Sequence, residues 1–433
     1  MSEMKDSGIK WTEQIPVNWK VRRLKYILRE RNEKNSPVKT TEILSLTVNQ
    51  GVIPHSEKEG GGNRPKEDLS AYKLAYPDDI VLNSMNVLSG SVDLSKYYGC
   101  VSPVYYMLYS DDENIDIRFY NYMFKTRAFQ RSLMGLGNGI LIKESENGTL
   151  NTIRMRIPME KLNNLYFPVP SIIEQRKIVE FLDMSIPEVD TIISKTRKSI
   201  EEYKSYRNSI ISEKIIFGMD SSVSLKDSGV DWCPQIPEHW NIINPKVLFS
   251  LRKEKAKEGD RQLTASQKKG IMYQDEYMES EGVRVVVVQK DFDILKHVEP
   301  DDFVISMRSF QGGLEYSELS GCISSAYVML IPDRDKVYSP FYKWFFKSSK
   351  YINAIQSTSN LVRDGQAMRY SNFAQVPLID IPLSEQIEIA NYLEAKCGEI
   401  DALIAKKEAF VEEMESYKQS LIYEYVTGKK EVL

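Results

Sequence analysis

At 433 residues and 42% hydrophobic content, the chain is long enough for two or three domains, each with a core of its own. Its 57 Lys and Arg stand against 61 Asp and Glu, a formal charge of −4, so a nucleic-acid role cannot rest on overall charge and any basic surface must be local. Three scattered histidines (His55, His239, His297) and four cysteines without a CxxC pair argue against a His- or Cys-built metal site. No apolar run approaches about eighteen residues, and MSEMKDSGIK has no apolar signal core, so a cytosolic protein without membrane association is expected.

The chain opens on KDSGIKWTEQIPVNW from Lys5, which returns as KDSGVDWCPQIPEHW from Lys226. Gly8/Gly229, Trp11/Trp232, Pro16/Pro237 and Trp19/Trp240 share one offset (229 − 8 = 221). Pro fixes the backbone and Trp supplies a large apolar face, so a packed, extended lead-in segment is predicted. Each lead-in is followed by a body whose loops diverge while its landmarks persist. YPDDIVLNS near Tyr76 answers EPDDFVISM near Glu299; GCVSPVYYML from Gly99 answers GCISSAYVML from Gly321; FYNYMFK from Phe119 answers FYKWFFK from Phe341. VYYMLY and VRVVVVQ read as strands. The stretches after Phe119 and Phe341 read as helices, and each body as an α+β domain. Cys100 and Cys322 fall at equivalent places inside apolar strands, where a small buried thiol fits better than a ligand. GVIPHSEKEGGGNRPKED, GLGNGILIKESENGT and STSNLVRDGQAM read as loops.

Each body ends in a stretch that the chain also uses twice, Ser171–Phe217 and Ser384–Gly428. Gln175/Gln386, Leu182/Leu393, Asp190/Asp401 and Tyr206/Tyr417 differ by 211 (386 − 175). Ser171 with Glu174 forms a capping-box signature, and Ser384 is the expected cap of the second copy. Pro187 and Gly398, at matching positions, predict a break between a short helix and a longer one. Beyond the break, Val189, Ile193, Thr196, Ile200, Tyr203, Arg207, Ile210, Lys214 and Phe217 alternate steps of four and three. Ile400, Ile404, Lys407, Val411, Met414, Lys418, Leu421 and Tyr425 do the same. One copy would suit an amphipathic helix on a local core; two matched copies favour an intramolecular coiled coil. The expected organisation is therefore 1–170 lead-in and first body, 171–217 first helix, 218–383 linker, lead-in and second body, and 384–433 second helix and tail.

Catalysis finds no carrier. There is no Walker A motif, and GLGNG at Gly135 reads as a flexible loop and not as a phosphate turn. PDD at Pro77 and Pro300 lacks the second acid and the lysine of a metal-dependent nuclease and reads as turn chemistry. No Asn-Pro-Pro-aromatic signature for a flipped adenine is present. Nucleic-acid binding has better support. Lys125, Arg127, Gln130 and Arg131 share a predicted helix face; the counterpart carries Lys343, Lys347 and Lys350. Following loops add Asn138 and Lys143 in one half, and Arg363, Gln366 and Arg369 in the other, with Arg156 answering Arg369. Arg and Gln suit base edges, Lys suits phosphates. The alternatives are a solvated basic helix face and arginines paired with nearby carboxylates.

A proline-rich strand end, then EQ, then a coiled-coil helix, used twice behind WTEQIPVNW and WCPQIPEHW, resembles the specificity subunit of type I restriction-modification enzymes. The resemblance covers essentially the whole chain. It implies two tandem target-recognition domains of one α+β fold, separated by a pair of long antiparallel coiled-coil helices in an internal pseudo-twofold repeat. Each domain would read half of a split, asymmetric site on double-stranded DNA. The helices would act as spacer and as docking surface for two modification (methyltransferase) subunits, with restriction (translocase/nuclease) subunits completing the complex. S-adenosylmethionine, Mg2+ and ATP would then belong to those partners, and this chain would be a non-catalytic subunit. A stand-alone DNA-binding regulator and a non-catalytic scaffold are the other classes the residues allow.

Overall fold

The computed structural model describes residues 3–48, 50–58, 65–137, 142–144, 150–152, 156–267, 269–282, 294–306, 312–358 and 368–432, with 142–144 and 150–152 described as backbone alone. The chain divides into two units, 1–196 with 409–433, and 197–408. Of the expected second helix and tail, 384–433, residues 409–433 belong to the first unit and 384–408 to the second.

The lead-in is a hairpin. Met4–Asp6 pairs antiparallel with Gln14–Pro16, and Leu225–Asp227 with Gln235–Pro237. The repeated Asp-Ser-Gly explains the bend. Asp6 and Asp227 accept the N–H of Gly8 and Gly229, and both glycines hold positive φ, +66° and +72°, where a Cβ would be strained. The two Trp then face inward. Trp11 packs edge-on against Phe129 and Phe167, and Trp232 against Phe345 and Tyr351.

The first body carries a four-stranded antiparallel sheet in the order Arg29–Arg31, Tyr105–Tyr109, Ile80–Asn83, Val92–Leu94. The second repeats it as Phe249–Arg252, Val328–Pro332, Phe303–Ile305, Glu315–Tyr316. VYYMLY, predicted as a strand, forms one of the two inner strands. VRVVVVQ lies outside the described residues. Two-stranded ladders are duplicated as well: Lys73–Ala75 with Gly99–Val101 answers Lys296–Val298 with Gly321–Ile323, placing Cys100 and Cys322 as buried thiols opposite Leu74 and His297. Gly51–Pro54, expected as loop, pairs with Leu44–Thr47, because Val52 can be buried from one face of the hairpin.

The two PDD segments are turns. Asp78 and Asp301 take φ of +67° and +76°, while Asp79 and Asp302 accept the N–H of Tyr76 and Glu299. Each turn carboxylate, 1% exposed, also receives an arginine fork, Arg31 on Asp79 and Arg252 on Asp302. Burial pushes both carboxyls up, and the guanidiniums oppose it.

Both long helices run unbroken, Ile172–Phe217 and Leu383–Val426, correcting the expected break. Pro187 removes one N–H from the ladder, but it is solvent-facing, and the flanking Ile186 and Val189 are buried. The Ser171–Glu174 capping box is present. Ser384 sits instead inside the first turn, since the second helix starts one residue earlier. In the first unit Lys418 pairs with Asp190 at 2.6 Å and Tyr425 stacks on Phe181. In the second, Arg207 pairs with Asp401 at 2.9 Å and Lys204 with Glu408 at 3.6 Å. In each unit the higher number on one helix meets the lower on the other, so the segments are antiparallel. Val189, Ile193, Ile200 and Ile210, with Ile400, Ile404, Val411 and Leu421, are buried as the seam requires, whereas Phe217 is half-exposed.

The first body is fused to these helices through one core. Trp19, Phe119, Phe124, Phe129 and Phe167 share it with Ile178 and Leu182, and with Leu421, Ile422 and Val426. Each such buried ring or aliphatic side chain contributes about 1.5–3 kcal/mol. Gly428 belongs to the same junction: a Cβ there would lie 2.4 Å from Pro16 of the lead-in. Among the described residues, no helix is long and apolar enough to cross a membrane.

Candidate nucleic-acid interface

The predicted basic face is a corner. The body helix Ile117–Phe124 stops at Lys125, Thr126 caps the next turn with its hydroxyl on the Phe129 N–H, and a second helix runs Arg127–Ser132. Of the four residues expected on one face, Lys125 therefore lies at the corner, just past the first helix, and Arg127, Gln130 and Arg131 lie on the second.

Lys125 turns inward. Its Nζ meets Asp93 at 2.6 Å, and Asn121 donates to the same carboxylate oxygen at 3.0 Å. The repeat does the same with Lys347 on Glu315, the residues 222 further on (347 − 125; 315 − 93). Glu315 is 3% exposed; burial pushes its carboxyl up and the Lys347 ammonium pulls it back. Gln130 is also buried, its amide donating to the Phe124 carbonyl at 3.2 Å. These three side chains are consumed in the scaffold, and the helix-face reading is corrected for them. Lys343 is half-exposed, 3.5 Å from Glu318 and 5.8 Å from the centre of the Tyr316 ring. Arg127, Arg131, Arg156, Lys350 and Arg369 are exposed.

Around the first corner lies a cleft of about 430 Å³, lined by Asp93, Lys125, Arg127 and Arg131 together with Asp190 and Lys418 of the long helices. Its two lysines are each neutralised by a carboxylate at 2.6 Å, and Arg127 and Arg131 are exposed beside them. A second cleft, about 450 Å³, contains Arg156, Lys73, Glu30 and Tyr106. Arg156 approaches the Tyr106 hydroxyl at 3.5 Å, and Lys73 donates to the Tyr105 carbonyl at 3.1 Å. Lys73 was missed by sequence reasoning. Its only signal was the repeat, since Lys296 answers it and donates to the Tyr327 carbonyl at 2.6 Å. Burial lowers the Lys296 pKa. Asn138, Arg363 and Gln366 lie outside the described residues. Lys143 lies on the strand Ile142–Glu144, opposite Asn151, but its side chain is outside them too.

No family model matches this sequence, and no curated protein matches it. Solved structures do. One, from work on complex assembly and conformational transition of the type I R-M system, aligns over 96% of this chain and 99% of its own length, with a TM-score of 0.68 and 14% identity. The HsdS subunit from Thermoanaerobacter tengcongensis aligns over 96% and 98%, with a TM-score of 0.50 and 13% identity. From end to end, the chain has the fold found in type I restriction-modification HsdS structures, as its duplicated framework implied.

Proposed function

We propose that this chain is the specificity subunit of a type I restriction-modification complex. It reads a bipartite, asymmetric DNA target and directs adenine methylation and restriction carried out by partner subunits. The observation that carries this reading is the duplication: one body, with the same four-stranded sheet order and the same lead-in hairpin, is mounted twice on matched long helices, in a fold similar to HsdS. A kept framework with diverging loops puts sequence information in the loops. Each body then reads one half-site, and the unread spacer between them follows from helix length. Arg127, Arg131, Arg156, Lys343 and Arg369 are the exposed candidates for phosphate or base contact, while Lys125, Lys347 and Gln130 hold the bodies in shape. S-adenosylmethionine, Mg2+ and ATP chemistry resides on two modification subunits and on restriction subunits, and this chain supplies none of it.

The test is to produce the chain with its modification subunits and map methylated adenines by long-read sequencing. A split motif that disappears when this chain is omitted is expected. Methylation that persists without it, or an unsplit motif, contradicts the proposal. The purified chain alone, given S-adenosylmethionine, Mg2+ and ATP, is expected to leave DNA unaltered.

A further inference from the structure

Two glutamines at the start of the long helices do work that DNA contact does not explain. Gln175 and Gln386 are 0% and 1% exposed. The Gln175 Oε1 accepts the Asp116 N–H at 2.8 Å, and its Nε2 donates to the carbonyls of Asn114 and Pro170, both at 3.0 Å. The Gln386 Oε1 accepts the Tyr338 N–H at 2.8 Å, and its Nε2 donates to Lys336 and Ile381 at 2.7 and 2.8 Å. Asp116 and Tyr338 are the residues from which the body helices Ile117–Phe124 and Ser339–Phe345 depart. Pro170 and Ile381 lie just before the long helices. One side chain thus ties the launch of the body helix to the launch of the long helix, in each unit separately. Beside each amide, the lead-in joins the same helix turn through Trp19 on Glu174 and Trp240 on Glu385.

The chain between the tied points differs in length. Asp116 and Gln175 are 59 residues apart, whereas Tyr338 and Gln386 are 48 apart. The same three bonds close across both, although the connecting segments have diverged. A buried amide is well suited to this place: it offers two donors and an acceptor, and a carboxylate would set an oxygen against the two carbonyls.

We infer that Gln175 and Gln386 are positioning residues, which fix the bearing of each body on its long helix and thereby restrict the spacer length that the complex accepts. This rests on the specificity-subunit reading. One base pair shifts a half-site by about 3.4 Å and turns it by roughly 34°, so a complex rejects a wrong spacer only if its bodies cannot swing to follow.

The experiment places Gln175→Met or Gln386→Met, similar in size but without donors, in the full chain with its modification subunits. Methylated motifs are then read by long-read sequencing. Both half-site sequences are expected to stay unchanged, while methylation at sites with a spacer one base pair longer or shorter rises at least about tenfold, since all three bonds of the amide are lost and a single bond at the upper end of the usual range already represents that factor. A folded variant that keeps a single spacer, or methylates nothing, overturns the inference. Should the variants not fold, hydrogen exchange on the wild-type chain decides. The amides of Asp116 and Tyr338 are expected to exchange within about tenfold of helix amides at Ile178 and Ile389, because body and helix open together. Exchange more than about a hundredfold faster at Asp116 or Tyr338 overturns it. A wild-type complex with no split motif overturns the specificity-subunit reading instead, and the exchange rates still decide whether the tie holds.

Discussion

Arg252 and Asp302 form the ion pair on which the turn into the second sheet depends, with bonds of 2.6 and 2.9 Å to a carboxylate that water does not reach. Removing the arginine leaves that charge buried without a counter-ion among the described residues, held by the Glu299 N–H. Arg252→Ala is therefore expected to destabilise the second unit by about 3–5 kcal/mol, read from urea unfolding, and a loss below about 1 kcal/mol contradicts the assignment. His297 gives the same unit a pH response. Burial pulls its pKa down, but bonds to Glu299 and Asp260, at 2.6 and 2.8 Å, outweigh it and leave it raised. Lys257 and Glu254 also carry charge in this cluster, Arg252 pairs with Glu254 at 2.7 Å, and the Cys322 strand covers it. A raised folded pKa means the stabilisation is full below the unfolded histidine value of about 6.5 and is lost as pH rises through the folded pKa. Glu299, held down to about 2 by His297 and Lys257, contributes above the ordinary glutamate range and loses its share only in strong acid. The melting temperature should thus fall from pH 6 to pH 8. His297→Leu, the residue at the equivalent Leu74, should remove most of that slope; an unchanged slope would place its origin elsewhere. The PDD turns were legible because Pro-Asp chemistry is local. Their arginines, 48 and 50 residues away, were not. Lys125 and Gln130 were misread because facing depends on where a helix ends, and Lys125 lies just past that end.

The long helices show where periodicity is enough and where it is not. Their seam was legible, because alternating steps of four and three put Val189, Ile193, Ile400 and Ile404 on one stripe whatever the local propensity. Continuity through Pro187 and Gly398 was not legible, since packing on either side overrides a local breaker. Gly398 consequently carries a removable cost. It lies mid-helix without positive φ, and a Cβ there meets nothing within 4 Å. Gly398→Ala should stabilise the protein by about 0.5–1 kcal/mol, seen as a higher melting temperature with the methylated motif unaltered. A lower melting temperature would show that the glycine has a structural role at this point.

At the scale of the molecule, the duplication was readable by matching residues at constant offset, but the assignment of 409–433 to the first unit was not, because chain order does not reveal which body a returning helix joins. Under the proposed function, helix length carries meaning. Seven residues inserted after Ile200 and after Val411 together extend the rods by about 10.5 Å, so the unread spacer should grow by about three base pairs with both half-sites unchanged. Insertion in one helix alone should shift the seam, expose residues such as Ile210 or Leu421, and lower stability. The most direct test of the central claim exchanges residues 20–168 for the matching body of a related subunit. The methylated motif is then mapped in cells that also make the modification subunits. One half-site is expected to change while the other half-site and the spacer stay as they were. A motif altered in both halves, or in neither, would contradict the reading of this chain as two independent DNA readers on one framework.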